Sequence, residues 1–123
     1  MIKKNYGGLR AAFSGIKETI IFEKSFRIML LIGAVVVVAM LYFPTSRLEK
    51  IILLLITFSV LVLELINSTV ERIMNVVTKE QNDEVRVIKD LMAAIVLLAS
   101  LGAATAGIFI FLPYVMELLV YIF

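Results

Sequence analysis

Three apolar runs, separated by polar segments, dominate the hydropathy pattern of the chain. Residues 28–46 carry no charge. A second run begins at residue 51 and reaches a comparable length when it continues to residue 70, and a third covers residues 91–116. Because about 20 predominantly apolar residues cross the hydrocarbon core of a bilayer as a helix, the pattern predicts transmembrane helices at 28–46, 51–70 and 91–116.

Residues 1–27 combine apolar and charged positions. Leu9, Phe13, Ile16 and Ile20 recur at helical spacing, and six Lys or Arg residues lie around them. This pattern predicts an amphipathic helix on the membrane surface; a helix with an ordinary solvated face is the alternative. No cleavable signal peptide is expected, because the segment is longer and more acidic than a simple signal-peptide n-region.

The polar segments between the runs predict the connections. Pro44 is expected to end the first span, and residues 44–50 are expected to form a short charged turn. The polar residues 71–90 predict a longer loop. The predicted architecture is therefore an all-α membrane protein with a single domain over residues 1–123, in which an amino-terminal surface helix precedes three transmembrane helices.

The composition agrees with a membrane protein. Hydrophobic residues make up 62% of the chain, and the mean hydropathy is +1.05, which is far from that of a soluble domain of 123 residues. The chain has no cysteine and no histidine. Disulfides and thiolate chemistry are therefore excluded, and any general base or metal ligand has to be a carboxylate.

Charge placement predicts the orientation in the membrane. Six Lys or Arg residues precede the first run and four lie in residues 71–90, whereas the 44–50 turn has two. Since positive residues stay on the cytoplasmic side, the amino terminus and the 71–90 segment are predicted to be cytoplasmic, and the turn and the carboxy terminus external. Three spans are too few for a self-contained transporter core, so an oligomer is expected.

A polar stripe interrupts the second apolar run. Glu64, Asn67 and Glu71 fall at about 0°, 300° and 340° around a helix of 100° per residue. Carboxylates inside a span are costly and usually mark an ion, a proton path or a substrate. Two simpler readings stay open: Glu64 pairs with a neighbouring helix to fix an oligomer, and Glu71 belongs to a solvated helix end.

Other charged residues are expected at the same depth, because Glu23 precedes the first span and Lys89 and Asp90 begin the third. Carboxylates suit Mg²⁺, a lysine suits phosphate, and a carboxylate base suits a hydroxyl proton. These are components of a phosphoryl-transfer site, yet the chain has neither a P-loop nor a kinase glycine-rich loop. A small membrane scaffold or regulatory subunit, and a fragment of a cation transporter, are the rival classes.

Two motifs carry a resemblance to a known family. The stretch "ELINSTVE" has the pattern E-x-x-N-x-x-x-E from Glu64 to Glu71, and "KDLMAAIVLLAS" follows at Lys89. Upstream, "GIKETIIFEKSFRI" has Glu23 three residues before Phe26. Over residues 10–112 the chain resembles the small integral-membrane diacylglycerol kinases and undecaprenol kinases of bacteria.

The resemblance implies a lipid kinase of the bacterial inner membrane that transfers the γ-phosphoryl of Mg·ATP to a lipid hydroxyl, a step in phospholipid metabolism. It implies Glu64 as the catalytic base and Asn67 as a residue that orients groups near the phosphoryl. Mg²⁺ would be held by Glu23 and Glu71. The implied nucleotide contacts are Glu23, Glu71, Glu80, Lys89 and Asp90. A homotrimer with sites shared between subunits at the cytoplasmic face is implied, and nucleic acid is not an expected partner.

The sequence departs from the family pattern near the implied nucleotide base. Gln81 and Asn82 replace a common Tyr-His pair, and Ala11 replaces an aromatic residue. The choice between ATP and GTP, the subunit that supplies each site residue, and the choice between diacylglycerol and undecaprenol all stay open. The closing "GIFIFLPYV" is more similar to the undecaprenol-type members.

Overall fold

The computed structural model describes residues 3–78, 80 and 82–123, with side chains from residue 7 onward. These residues form an all-helical chain, as predicted. Three helices have the length and apolar composition to cross a membrane. The helices are α1 (Lys3–Phe22), α2 (Lys24–Tyr42), α3 (Arg47–Val77) and α4 (Asp83–Ile122).

A break at Glu23 separates α1 from α2. The first helix therefore ends at Phe22, five residues before the predicted end at residue 27. Glu23 has extended backbone angles, φ −112° and ψ 106°. The last turn of α1 has carbonyls without a helical partner. Arg27 supplies donors there: its Nη1 lies 2.8 Å from both the Ile20 and the Ile21 carbonyl oxygen. The guanidinium therefore caps α1 from the first turn of α2.

Helices α2 and α3 form an antiparallel hairpin. The buried residues of α2 are Phe26, Gly33 and Met40, spaced by seven as in a seam that faces one neighbour. At Gly33 the helices approach so closely that a Cβ would lie 3.0 Å from Thr57 Cγ2. This close approach packs α2 against α3 near the middle of the hairpin.

The turn between α2 and α3 is shorter than the predicted 44–50. Pro44 follows the end of α2, as expected. Helix α3 then begins at Arg47 with Ser46 as its N-cap, and Ser46 and Glu49 form a capping box with hydrogen bonds of 3.1 and 2.8 Å. Arg47, Glu49 and Lys50 thus lie in the first turn of α3, a correction that the Ser-x-x-Glu pattern explains.

The predicted 71–90 loop is also mostly helical. Helix α3 continues to Val77, and α4 begins at Asp83 with the Asn82 side chain accepting a 2.9 Å hydrogen bond from the Val85 amide. With 31 residues, α3 is about 46 Å long at 1.5 Å per residue, whereas the hydrocarbon core is about 30 Å thick. The last turns of α3, residues 71–77, therefore extend the helix beyond its uninterrupted apolar segment and include the polar Glu71, Arg72 and Asn75, and where lipid ends stays a prediction.

Helix α4 packs on α3 but remains largely uncovered by the chain itself, with no buried residue. It runs through Pro113 to Ile122, beyond the predicted end at residue 116. Near the carboxy-terminal end of α4, the Tyr114 hydroxyl donates a 2.5 Å hydrogen bond to Glu49 Oε1 at the start of α3. The glycines of α4 do not mark the closest helix contact, because a Cβ on Gly102 or Gly107 would meet nothing within 4 Å.

The apolar positions of α1 are open to the surroundings. Leu9, Phe13 and Ile16 are all exposed, so the other helices of the same chain do not cover them. A membrane surface or another subunit is required to bury this stripe, and the amphipathic surface helix stays a prediction.

Candidate active site

Two hydroxyl–carboxylate hydrogen bonds join the amino-terminal end of α2 to the carboxy-terminal half of α3. Ser25 Oγ in α2 donates to Glu64 Oε1 in α3 at 2.5 Å. In the opposite sense, Ser68 Oγ in α3 donates to Glu23 Oε1 at 3.0 Å. The antiparallel hairpin thus places one carboxylate and one hydroxyl on each side of the seam, and we call these four residues the Ser–Glu cluster.

Burial within α3 differs from the predicted stripe. Glu64 and Ser68 are 3% and 5% exposed, whereas Asn67 is half-buried and Glu71 is exposed. The face of α3 that meets α2 is therefore centred between Glu64 and Ser68, four residues apart and neighbours on a helix. Asn67 and Glu71 lie to one side of this face, where they are accessible to a ligand.

Neutral hydroxyls, not basic side chains, contact the carboxylates of the Ser–Glu cluster. Across the described residues, the ion pairs within 4.0 Å join Arg72 to Glu18 at 3.1 Å and Arg86 to Asp83 at 3.6 Å. Both pairs lie on exposed side chains, and such pairs contribute little to stability. Within the described part of the chain, neither Glu23 nor Glu64 therefore has a Lys or Arg partner within 4.0 Å.

The donor set fits a magnesium ion that arrives with a nucleotide. In the described part of the chain no three Asp or Glu side chains are arranged to hold a metal. Mg²⁺ does not require such a cage, since it is commonly bound through one or two carboxylates, waters and substrate phosphates. Glu23 accepts a hydrogen bond from Ser68, and Glu71 lies one helical turn beyond Ser68 on α3.

The remaining predicted nucleotide contacts lie farther along the chain. Lys89 is half-buried and Asp90 exposed in α4, and Glu80 is exposed between α3 and α4. None of the hydrogen bonds or ion pairs among the described residues joins them to the carboxylates of the cluster. Hydrogen bonds therefore link Glu23 and Glu64 to the opposite side of the α2–α3 hairpin, whereas no such bond among the described residues links Lys89, Asp90 or Glu80 to them.

Comparison with known families shows which family this chain belongs to. Residues 10–111 match the family model described as prokaryotic diacylglycerol kinase. The chain is a member of the prokaryotic diacylglycerol kinase family. The resemblance drawn from the two motifs is thereby confirmed.

A curated relative of this diacylglycerol kinase family member is the diacylglycerol kinase of Synechocystis sp. (strain ATCC 27184 / PCC 6803 / Kazusa). The two are 28% identical over 112 residues, which is 90% of this chain and 64% of the relative. The chain thus spans less than two thirds of the length of that protein.

Ser25 and Ser68 are features of this diacylglycerol kinase family member that the sequence analysis missed. Ser68 is four residues from Glu64, so helical spacing alone could have placed it beside the stripe. Ser25 gives no such signal, because its partner is 39 residues away. Two departures from the family pattern have structural positions: Asn82 caps α4, and Ala11 is exposed on α1. Gln81 lies outside the described residues.

Proposed function

We propose that this protein is a lipid kinase that transfers the γ-phosphoryl group of Mg·ATP to the hydroxyl of a membrane lipid alcohol, diacylglycerol or undecaprenol. Glu64 carries the proposal. It is a carboxylate 3% exposed in a helix with the composition of a membrane span, within the segment that matches the family. A carboxylate at such a position is costly in a membrane, so its presence usually marks a functional site.

In the proposed reaction the lipid hydroxyl attacks the γ-phosphorus and loses its proton to Glu64. A bond forms between the lipid oxygen and phosphorus, the bond from phosphorus to the bridging oxygen breaks, and ADP leaves with that oxygen. Asn67, half-buried one turn from Glu64, orients groups near the phosphoryl. A base has to lie within hydrogen-bond reach of the proton it takes. The lipid hydroxyl comes from the membrane side, so we assign this role to Glu64 and not to the exposed Glu71.

The nucleotide is proposed to bind on the more polar side of Glu64. Glu23 and Glu71 hold the Mg²⁺, which when bound neutralises charge on the phosphates. The proposed nucleotide contacts also include Glu80, Lys89 and Asp90, with Lys89 on phosphate. A homotrimer with shared sites is also proposed, as the family resemblance implies, and it would bury the largely uncovered surface of α4.

A direct assay tests the proposed function. We expect purified protein in mixed micelles with Mg·ATP to release ADP and form a phosphorylated lipid when diacylglycerol or undecaprenol is added. Running the two lipids side by side identifies the preferred alcohol. Neither ADP release nor a phosphorylated product with either lipid would contradict the proposal.

Membrane orientation provides an independent prediction. We expect Arg47→Cys to be labelled by an impermeant thiol reagent only from outside the cell, and Lys79→Cys only from the cytoplasm, because of the Lys and Arg distribution. Lys79 lies outside the described residues, but its side of the membrane follows from the charge count. The chain has no native cysteine that would interfere. Labelling of Arg47→Cys from the cytoplasm would overturn this orientation.

One observation favours a second candidate function. The Ser25–Glu64 and Ser68–Glu23 hydrogen bonds join two helices, as the carboxylates of a non-catalytic scaffold or regulatory subunit would. In that case Glu64 contributes to helix association, and loss of its charge weakens assembly before any other property.

A further inference from the structure

The geometry points to Ser25 as a positioning residue that holds Glu64 for proton transfer. This inference rests on the proposed function, in which Glu64 accepts the lipid proton. It adds to the family pattern a residue from the opposite helix of the hairpin, and it assigns Ser25 a role in turnover and not in binding of either substrate.

The contact has the features of a strong, directional hydrogen bond. Ser25 Oγ lies 2.5 Å from Glu64 Oε1, within the distance range of hydroxyl–carboxylate bonds in which the acceptor is ionised. Glu64 is almost fully buried whereas Ser25 is exposed, so the acceptor side of the bond is the side shielded from water. The hydroxyl therefore determines which carboxylate oxygen points toward α2.

The backbone on the donor side is also held in place. Ser25 lies in the first turn of α2, between the break at Glu23 and Arg27. The neighbouring Phe26 is 2% exposed, and Arg27 is bound to the last carbonyls of α1. The hydroxyl thus projects from a segment that is anchored on both sides, which a positioning group requires.

Fixing one oxygen of Glu64 restricts the other. A glutamate side chain has several rotatable bonds, and its second oxygen reaches a lipid hydroxyl productively in only some rotamers. With Oε1 bound to Ser25, Oε2 remains to accept the proton. An error of about 1 Å in the position of a reacting group reduces the rate by about 10²-fold, so a partial loss of alignment is expected to reduce kcat by about tenfold.

The test measures kcat and KM for Ser25→Ala and Ser25→Thr with Mg·ATP and the preferred lipid. We expect Ser25→Ala to lower kcat by about tenfold with both KM values within about twofold of wild type, and Ser25→Thr, which retains the hydroxyl, to recover most of the rate. Ser59→Ala is the matched control, because the exposed Ser59 hydroxyl bonds the Leu55 carbonyl of its own helix.

Each alternative gives a different result. A higher KM for lipid at unchanged kcat would mean that Ser25 binds the substrate directly, which overturns the inference. An equal loss in Ser25→Ala and Ser25→Thr, together with altered oligomer size in detergent, would indicate a structural role and overturn it too. A normal kcat in Ser25→Ala overturns the inference alone, whereas a wild-type protein that phosphorylates no lipid overturns the proposed function and this inference together.

Discussion

Glu64→Gln should reduce phosphoryl transfer to the lipid by about 10²–10⁴-fold, the usual cost of removing a general base. Glutamine has the shape of glutamate and can still accept the hydrogen bond that Ser25 donates to Oε1. It cannot take up the hydroxyl proton. We therefore expect Mg·ATP affinity and oligomer size to stay close to wild type while turnover is lost.

The position of Glu64 explains this selectivity. Glu64 and Glu71 are two helical turns apart, about 10 Å along the axis, and Glu64 is the one on the apolar side. Glu64 is buried whereas Glu71 is exposed. In the proposed reaction a lipid hydroxyl approaches from the membrane side and a nucleotide from water, so we expect the two carboxylates to meet different substrates.

Three measurements on one variant separate catalysis from helix association: turnover, nucleotide affinity and oligomer size in detergent. Glu117→Gln is the control, since Glu117 is an exposed glutamate near the carboxy-terminal end of α4. A scaffold role for Glu64 predicts that assembly weakens first. A Glu64→Gln protein that assembles, binds nucleotide and phosphorylates lipid at the wild-type rate would remove Glu64 from catalysis.

Glu71→Gln and Glu23→Gln should each reduce turnover by on the order of 10²-fold and raise the Mg²⁺ concentration needed for half-maximal activity. An amide is neutral and a poorer ligand for a hard cation. A bound metal contributes several kcal/mol of charge stabilisation in the transition state, and each 1.36 kcal/mol corresponds to about tenfold in rate.

A magnesium titration at fixed ATP checks this second prediction. Glu84→Gln is a suitable control. Glu84 is an exposed carboxylate in the first turn of α4, and its substitution removes the same charge as the two test variants. Glu23→Gln can still accept the bond from Ser68, so its fold should persist. Wild-type magnesium dependence in both test variants would show that the metal is held elsewhere.

Hydropathy was sufficient to predict the helical class and the three long apolar helices, but not where the helices end. The apolar run locates the part of a helix that suits lipid, whereas a helix stops where capping groups satisfy its backbone. Those groups were present in the sequence, as Ser46 with Glu49 and as Asn82. Capping patterns would have shortened both predicted connections.

The break at Glu23 and the Ser–Glu cluster could not be predicted in the same way. No glycine or proline lies between residues 16 and 32 to mark a break. Of the contacts that accompany it, Arg27 on the α1 carbonyls is local, but Ser68 on Glu23 comes from 45 residues along the chain. The pairing of Ser25 with Glu64 requires the register of two antiparallel helices, and a single sequence does not specify this register.

The turn between α2 and α3 has a consequence for biogenesis. A helical hairpin that inserts into a bilayer has to carry its tip across the hydrocarbon, where each unpaired polar group costs several kcal/mol. Here Thr45 donates to the Met40 carbonyl, Lys50 donates to the Thr45 carbonyl, and Ser46 and Glu49 bond each other's backbone amides. In the predicted topology the tip would cross with part of its hydrogen bonding already internal, which is expected to lower the barrier to inserting α2 and α3 as one unit.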